Sequence, residues 1–231
     1  MPLPESRTVR LLIAVAAEAE ARAVLAAHDA DPALASIGWT RHRIGDARDL
    51  VVTGVGKANA SGAVARTAGE AGSDMVVSLG VGGALPGSDL CIGDIVVADR
   101  CVFADEGLAS PDGFEPLSSM GFACAPGLVD ENVPSDVETA RRFLSLSDAT
   151  VGAIATVSTC SGTDERAAEI AQRTGAVAEA MEGAAVGLVA HRLGLRFAEV
   201  RVISNTTGRR QNQIWDLPAA FARFGAVLGR T

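Results

Sequence analysis

A chain of 231 residues with 48% hydrophobic and only 4% aromatic residues, and no tyrosine, must build its core from Ala, Val, Leu and Ile. That diet suits helices packed on a buried sheet, and the length supports one large domain without disulfide or metal staples. A formal charge of −8 excludes nucleic acid and anionic membranes as main partners, because both reward clustered basic side chains.

Taken in order, short β-rich apolar runs alternate with Ala-rich segments from end to end. Val9–Ala16 reads as a first strand and Glu18–Ala27 as a helix with an acidic first turn. Leu50–Thr53 is a strand ending in Gly54-Val55-Gly56, and Asn59–Ala71 follows as a helix. Met75–Leu79 is a strand ending in Gly80-Val81-Gly82-Gly83. Further strands are expected at Ile95–Ala98, Gly152–Val157 and Ala198–Ile203, with helices at Glu165–Thr174, Glu182–Leu193 and Pro218–Leu228. The Gly-, Pro-, Ser- and Asp-rich segment from Asp105 to Pro134 reads as an excursion loop. Strand–glycine turn–helix units predict an α/β fold with a mostly parallel central sheet flanked by helices, in a single domain over 1–231. Ligands in such sheets bind outside the carboxyl ends of the strands, where the glycine turns, Asp99, Asp105 and Ser204-Asn205 are expected.

Cys91, Cys101, Cys124 and Cys160 lack metal-ligand spacing, and His28, His42 and His191 stand far apart. Isolated thiols in a reducing compartment are therefore expected, with no metal and no cofactor. Val9–Ala17 is apolar but runs into Glu18, Glu20 and Arg22, unlike a secretion signal. No apolar run approaches the roughly 20 residues of a membrane span. A cytoplasmic protein without a membrane partner is expected.

Two glycine clusters imitate nucleotide motifs and fail on inspection. Gly54-Val55-Gly56-Lys57 is followed by Ala58 where a phosphate loop needs a magnesium-binding hydroxyl. Leu85 stands where the dinucleotide fingerprint needs its third glycine. Both clusters read better as tight turns that bring backbone amides close to a ligand. No Gly-x-Ser-x-Gly elbow is present, which argues against a serine hydrolase.

Three segments carry a family resemblance. They are Leu12–Glu20; Leu79–Ala84 with Ile92–Asp99; and Glu179–Ala185 with Val200–Asn205. In this order and spacing they resemble the nucleoside phosphorylase superfamily, and the first is similar to the opening strand and acidic turn of the methylthioadenosine/S-adenosylhomocysteine nucleosidases. Within the superfamily, Asp105-Glu106-Gly107, Asp112-Gly113-Phe114, Met120-Gly121-Phe122, Ser204–Arg209 and Trp215 resemble the futalosine hydrolases. The resemblance implies a nucleoside phosphorylase-like fold and hydrolysis of an N-glycosidic bond. The substrate is then futalosine, a small nucleoside with a carboxybenzoyl-type 5′ group, which releases hypoxanthine in menaquinone biosynthesis. By the same analogy a homo-oligomer is expected, since a neighbouring subunit helps to close the pocket in related nucleosidases.

The chemistry sets its own requirements. A ribosyl cation-like transition state needs a stabilised leaving base, a held sugar and a positioned water. Glu20 occupies the place of the family's water-activating carboxylate; otherwise it is an acid suited to a helix's first turn. Glu182 matches the acid that accepts from the ribose hydroxyls, with Met181 packing on the sugar. Gly80 and Gly82 are expected to bring backbone close to the substrate. Arg201, in an apolar strand, needs a partner such as Glu182 or another carboxylate. Ser204 and Asn205 sit at the base. Adenine-specific relatives have Asp at the Asn205 position, whereas a 6-oxopurine presents acceptors at O6 and N7 and needs the donor that an Asn amide supplies.

Ser78 and Val81 stand where phosphorylases place an Arg and a Ser for phosphate, which points to water as the nucleophile. Glu165 replaces the aromatic that stacks on the base in the nucleosidases. Phe103, Phe114 and Trp215 are candidate walls for the 5′ group, with Arg209 or Arg210 for its charge. A methylthioadenosine/S-adenosylhomocysteine or 6-aminofutalosine nucleosidase, a phosphate-dependent phosphorylase and a non-catalytic nucleoside-binding protein remain the alternatives.

Overall fold

The computed structural model describes residues 8–70 and 72–229. In chain order the elements are β1 (Leu11–Val15), α1 (Glu18–Ala27), β2 (Arg41–Gly45), β3 (Arg48–Val52), α2 (Lys57–Glu70), β4 (Met75–Ala84) and β5 (Ile95–Phe103). A small hairpin of β6 (Gly107–Ser110) and β7 (Gly113–Pro116) follows, then β8 (Asn132–Pro134), α3 (Val137–Phe143) and β9 (Thr150–Thr156). The chain continues through α4 (Asp164–Thr174), β10 (Ala176–Ala180), α5 (Gly183–Arg192), β11 (Arg196–Thr206), α6 (Leu217–Ala222) and α7 (Phe224–Leu228).

The main sheet runs β10-β9-β5-β11-β4-β1-β3-β2, with β8 paired to β5. Its ladders β1–β3, β1–β4, β4–β11, β5–β9 and β9–β10 are parallel, while β2–β3, β5–β8, β5–β11 and β4–β10 are antiparallel. Because β10 pairs with both β9 and β4, the strands β4, β11, β5, β9 and β10 close into a ring. The sheet is therefore mixed, curling at one side into a small barrel.

Both faces are covered, as the unbroken apolar runs of the strands require. Along β1, Leu11, Ile13 and Val15 join a core with α1, α3, α6 and α7, while Leu12 and Ala14 join the opposite core with α2 and α5. This alternation is the two-residue period of a strand expressed in packing. Thr163 caps α4, its hydroxyl accepting from the Arg166 amide at 3.2 Å, and Gly175 (φ 66°) ends that helix in a left-handed turn.

Several expectations are corrected. Gly80–Gly83 is no turn: β4 runs on to Ala84 because β11 and β10 both extend ladders along it, through Thr206↔Ala84 and Ala178↔Ala84. Asp99 lies mid-way along β5 rather than at a strand end, at the irregularity between Ala98 and Cys101 in the β5–β9 register. The Asp105–Pro134 excursion contains the β6–β7 hairpin and β8. The single closing helix is divided at Arg223, whose amide bonds Ala220 in a tighter turn. The second helix begins two residues early, at Lys57, and its expected end at Ala71 lies outside the described residues. No described helix is long and apolar enough to cross a membrane.

Candidate active site

A cavity of about 440 Å³ opens where β1, β4, β10 and β11 end and where α1 and α5 begin. Glu20, Val81, Gly82, Met181, Glu182, Ser204 and Asn205 line it. So do Cys160, Ser161, Gly162 and Glu179 on one side, and Val55, Arg210, Gln213 and Trp215 at the mouth.

Glu20 is the third residue of α1, a helix whose N-cap, Ala17, has no side chain able to cap it. Its carboxylate takes that role, with Oε2 accepting from the amides of Ala16 and Ala17 at 2.9 Å each. Oε1 accepts from the Val81 amide on β4, also at 2.9 Å. Two carboxylate oxygens offer about four acceptor positions, so three backbone bonds leave one for a further donor. Burial lifts the Glu20 carboxyl above its ordinary range, against the opposing pull of Arg201 and two of these amides.

Glu182 sits at the N-cap of α5, and its Oε1 accepts from the Gly56 amide at 3.0 Å, in the turn after β3. Its Oε2 lies 3.4 Å from Arg201 Nη2. The Arg201 guanidinium is wholly buried; Nη2 donates to Ser78 Oγ at 2.9 Å and Nε to Glu199 Oε1 at 2.7 Å. It passes directly over Gly80, where an added Cβ would stand 2.2 Å from Nη1 and 2.8 Å from Glu20 Oε1. The glycine is thus required for clearance rather than for a turn.

On the same strand, Ser204 Oγ bonds Asn205 Oδ1 at 2.8 Å, and Asn205 Nδ2 donates to the Thr206 carbonyl at 2.9 Å. The hydroxyl fixes the amide's orientation, and one Nδ2 hydrogen remains for another acceptor. Across Gly83, β10 presents Glu179, whose carboxylate accepts from the Ser161 amide at 2.9 Å and its hydroxyl at 2.6 Å. Burial raises this carboxyl as well.

The mouth is held by side chains of one loop. Gln213 Oε1 accepts from Trp215 Nε1 at 3.0 Å and Arg210 Nη1 at 2.8 Å, while its amide donates to the carbonyls of Ser161 and Gly208. The Arg210 guanidinium lies 4.8 Å from the Trp215 ring centre, and Arg210 is the one cation lining the cavity among the described residues.

Of the residues singled out in the sequence, Glu20, Met181, Glu182, Ser204, Asn205 and Gly82 meet at the cavity, while Gly80 and Arg201 lie behind its wall. Phe103 does not line it: the ring is buried, with Lys57 Nζ 5.5 Å from its centre. Phe114 lies under Arg173, Arg209 is paired with Asp164, and Glu165 is outside the lining. Glu179, Glu199 and Gln213 went unassigned in the sequence. Glu199 carried a signal, since a residue two before a buried Arg shares its face of the strand. Among the described residues no cluster of three or more His, Cys, Asp or Glu could hold a metal ion.

A curled mixed sheet with a nucleoside-sized cavity, walled by buried carboxylates at the strand ends, defines a class. The chain belongs to the Phosphorylase superfamily, whose family model matches residues 12–230. It is 40% identical to a futalosine hydrolase of Acidothermus cellulolyticus over 218 residues, covering 94% of this chain and 87% of that one. Against a futalosine hydrolase of Streptomyces coelicolor it is 37% identical over 229 residues, 96% and 94% of the two chains. Among solved structures, futalosine hydrolase of Helicobacter pylori superposes with a TM-score of 0.69 at 20% identity, covering 95% of this chain and 94% of that one. A 5′-methylthioadenosine/S-adenosylhomocysteine nucleosidase of Neisseria meningitidis in complex with methylthio-immucillin-A gives 0.70 at 22%, covering 95% and 96%. At these identities the two structural likenesses show the fold.

Proposed function

We propose that the chain hydrolyses the N-glycosidic bond of futalosine, releasing hypoxanthine and leaving dehypoxanthine futalosine. The observation that carries the reading is the meeting of Glu20, Glu182 and an oriented Asn205 amide on one cavity. The two curated futalosine hydrolases, at 40% and 37% identity over nearly the whole chain, support the choice of substrate.

In this mechanism the free acceptor position of Glu20 takes a proton from water as the water oxygen attacks the anomeric carbon. The C–N bond breaks, its electron pair leaves with the purine, and the purine takes a proton from solvent while Glu20 gives its own back to solvent. Glu182 accepts from the ribose hydroxyls and keeps the sugar in place while positive charge grows on the ring. Met181 packs on the sugar. The free Nδ2 hydrogen of Asn205 donates to N7 or O6 of the departing base, where negative charge accumulates. An ionised Asp there would face two acceptors with like polarity.

Water, not phosphate, is the nucleophile on electrostatic grounds. The inner wall holds Glu20, Glu179 and Glu182, and the Arg201 guanidinium behind it is already shared among Ser78, Glu182 and Glu199. At that wall a phosphate dianion would meet like charge, and the one cation among the described lining residues, Arg210, stands at the mouth. The cytoplasmic location, the single domain and the homo-oligomer belong to the same reading. Exposed Val55, Ile214 and Trp215 around the mouth offer an apolar surface for a second copy.

The test is incubation without phosphate of futalosine, 6-aminofutalosine, methylthioadenosine and inosine, with free base followed by chromatography. Hypoxanthine from futalosine alone is expected. Adenine from methylthioadenosine would overturn the role of Asn205, and release only after phosphate is added would make the enzyme a phosphorylase.

A further inference from the structure

β11 carries a second acid to which the mechanism assigns no task. Glu199 lies wholly buried two residues before Arg201 and does not line the cavity. Its Oε1 accepts from Arg201 Nε at 2.7 Å. Among the described residues its Oε2 has no hydrogen-bond partner; the buried thiol of Cys101, at best a weak donor, faces the same carboxyl from β5. The carboxyl is lodged against the first residue of α5, where a Cβ on Gly183 would stand 1.8 Å from Oε2 and 2.2 Å from Oε1. A backbone position has therefore been kept bare to admit it.

Burying a carboxyl with one oxygen unpaired opposes folding, so stability does not account for the slot. Charge does. The groups facing this cluster are Arg201 on β11, Cys101 on β5, Glu182 at the start of α5 and Glu20 on α1, with Ser78 on β4 as a neutral partner. Three carboxylates thus share one guanidinium. Glu199 is the acid in direct contact at Nε, and it contributes most among the three to holding the Arg201 charge.

We infer that Glu199 is a positioning residue for the hydrolysis: it fixes the guanidinium plane of Arg201 and absorbs enough of its charge to keep Glu20 a competent base. Without that charge, Arg201 would favour ionised Glu20 more strongly and make it a weaker proton acceptor. The raised Glu20 carboxyl, which burial lifts and Arg201 lowers, is consistent with this balance. The inference rests on Glu20 being the base, as proposed above.

The experiment is a pH profile of kcat/KM for futalosine between about pH 4.5 and 8, measured on the unaltered enzyme, Glu199→Gln, Glu199→Asp and Glu20→Gln, with thermal midpoints as folding controls. Glu199→Gln keeps an acceptor for Nε but removes the charge. Its acid limb should move down by about half a pH unit or more, and its plateau kcat should fall about tenfold with KM little changed. Glu199→Asp keeps the charge but loses reach, so the limb should stay while the plateau falls by a similar factor. A Gln variant whose limb does not move, whatever its rate, would show a merely structural carboxyl and overturn the inference. If the Gln variant does not fold, the Asp variant decides: a lowered plateau on an unmoved limb supports positioning, and an unchanged plateau overturns it. A Glu20→Gln variant that still turns over would instead sink the base assignment itself.

Discussion

The inner wall of the cavity and its mouth are held by different kinds of bond. On the wall, Glu20 is tied to Val81 across 61 residues of sequence, Glu182 to Gly56 across 126, and Arg201 to Ser78 across 123. At the mouth, Arg210 and Trp215 are tied to Gln213, three and two residues away, and Trp215 remains about half exposed. The wall groups proposed to react cannot shift without disturbing the sheet, whereas the mouth depends mainly on the loop that carries Arg210, Gln213 and Trp215, which Gln213 also ties to the Ser161 carbonyl. On the proposed function, the wall would carry the chemistry, which needs atoms held within fractions of an ångström, and the mouth would meet the substituent, which tolerates local variation.

The largest way to break the wall is Glu20→Gln. Free-base release should fall about a thousandfold while calorimetric binding of the nucleoside survives, since the other wall contacts are untouched. Next is Asn205→Asp, which replaces a donor by an acceptor. Assayed on futalosine and 6-aminofutalosine side by side, the ratio of their kcat/KM values should swing toward the 6-amino substrate by about a hundredfold. Retained preference for the 6-oxo substrate would mean that the base is read elsewhere.

At the mouth the effects should be smaller and of another kind. Trp215→Ala removes an aromatic wall but no reacting group, so KM should rise about tenfold with kcat nearly constant. A kcat loss as large as that of a wall variant would erase the distinction.

The smallest expected effect is on stability. Glu20, Glu179 and Glu199 are raised chiefly by burial. The folded state therefore binds more protons than the unfolded chain once pH exceeds the ordinary glutamate value, 4.5. Stability from these groups declines as pH rises from there through their raised values. Asp105 and Asp136 act oppositely. Burial raises them, but hydrogen bonds with Lys57, Ser158, Thr139 and Arg196 prevail and leave both below 3.8. Their contribution is present above 3.8 and lost as pH falls through their lowered values. The thermal midpoint should thus peak on the mildly acidic side and fall by a few degrees, about 2–4 °C, toward pH 8. Activity should fall in the acid direction, where Glu20 is protonated. A midpoint that climbs steadily to pH 8 would count against the buried-acid account.

The wall was more legible in the sequence than the mouth, for physical reasons. The helix expected over Glu18–Ala27 is the helix observed, because an acidic first turn and an Ala-rich body are local signals. Met181 and Glu182, between β10 and α5, were legible only through the family resemblance, whereas Ser204-Asn205, near the end of β11, follow the apolar Val202-Ile203 as a polar pair. β10 was missed because Ala176–Ala180 is short and Ala-rich, with no β-branched residue but Val177. Its pairing with β4 depends on chain far away. The mouth was illegible because Gln213 acts through side-chain bonds to Ser161, Gly208, Arg210 and Trp215 that follow no period.

Lys57, the sole lysine, bonds Asp105 at 2.5 Å and Glu106 at 3.1 Å, fastening the segment just before β6 to the start of α2. It is thus the one side-chain amine that an acylating reagent can find. While the two acids hold it, its amine is shielded from the reagent. Its rate of acylation would clock how often that segment lifts away from the helix, with no label engineered into the protein.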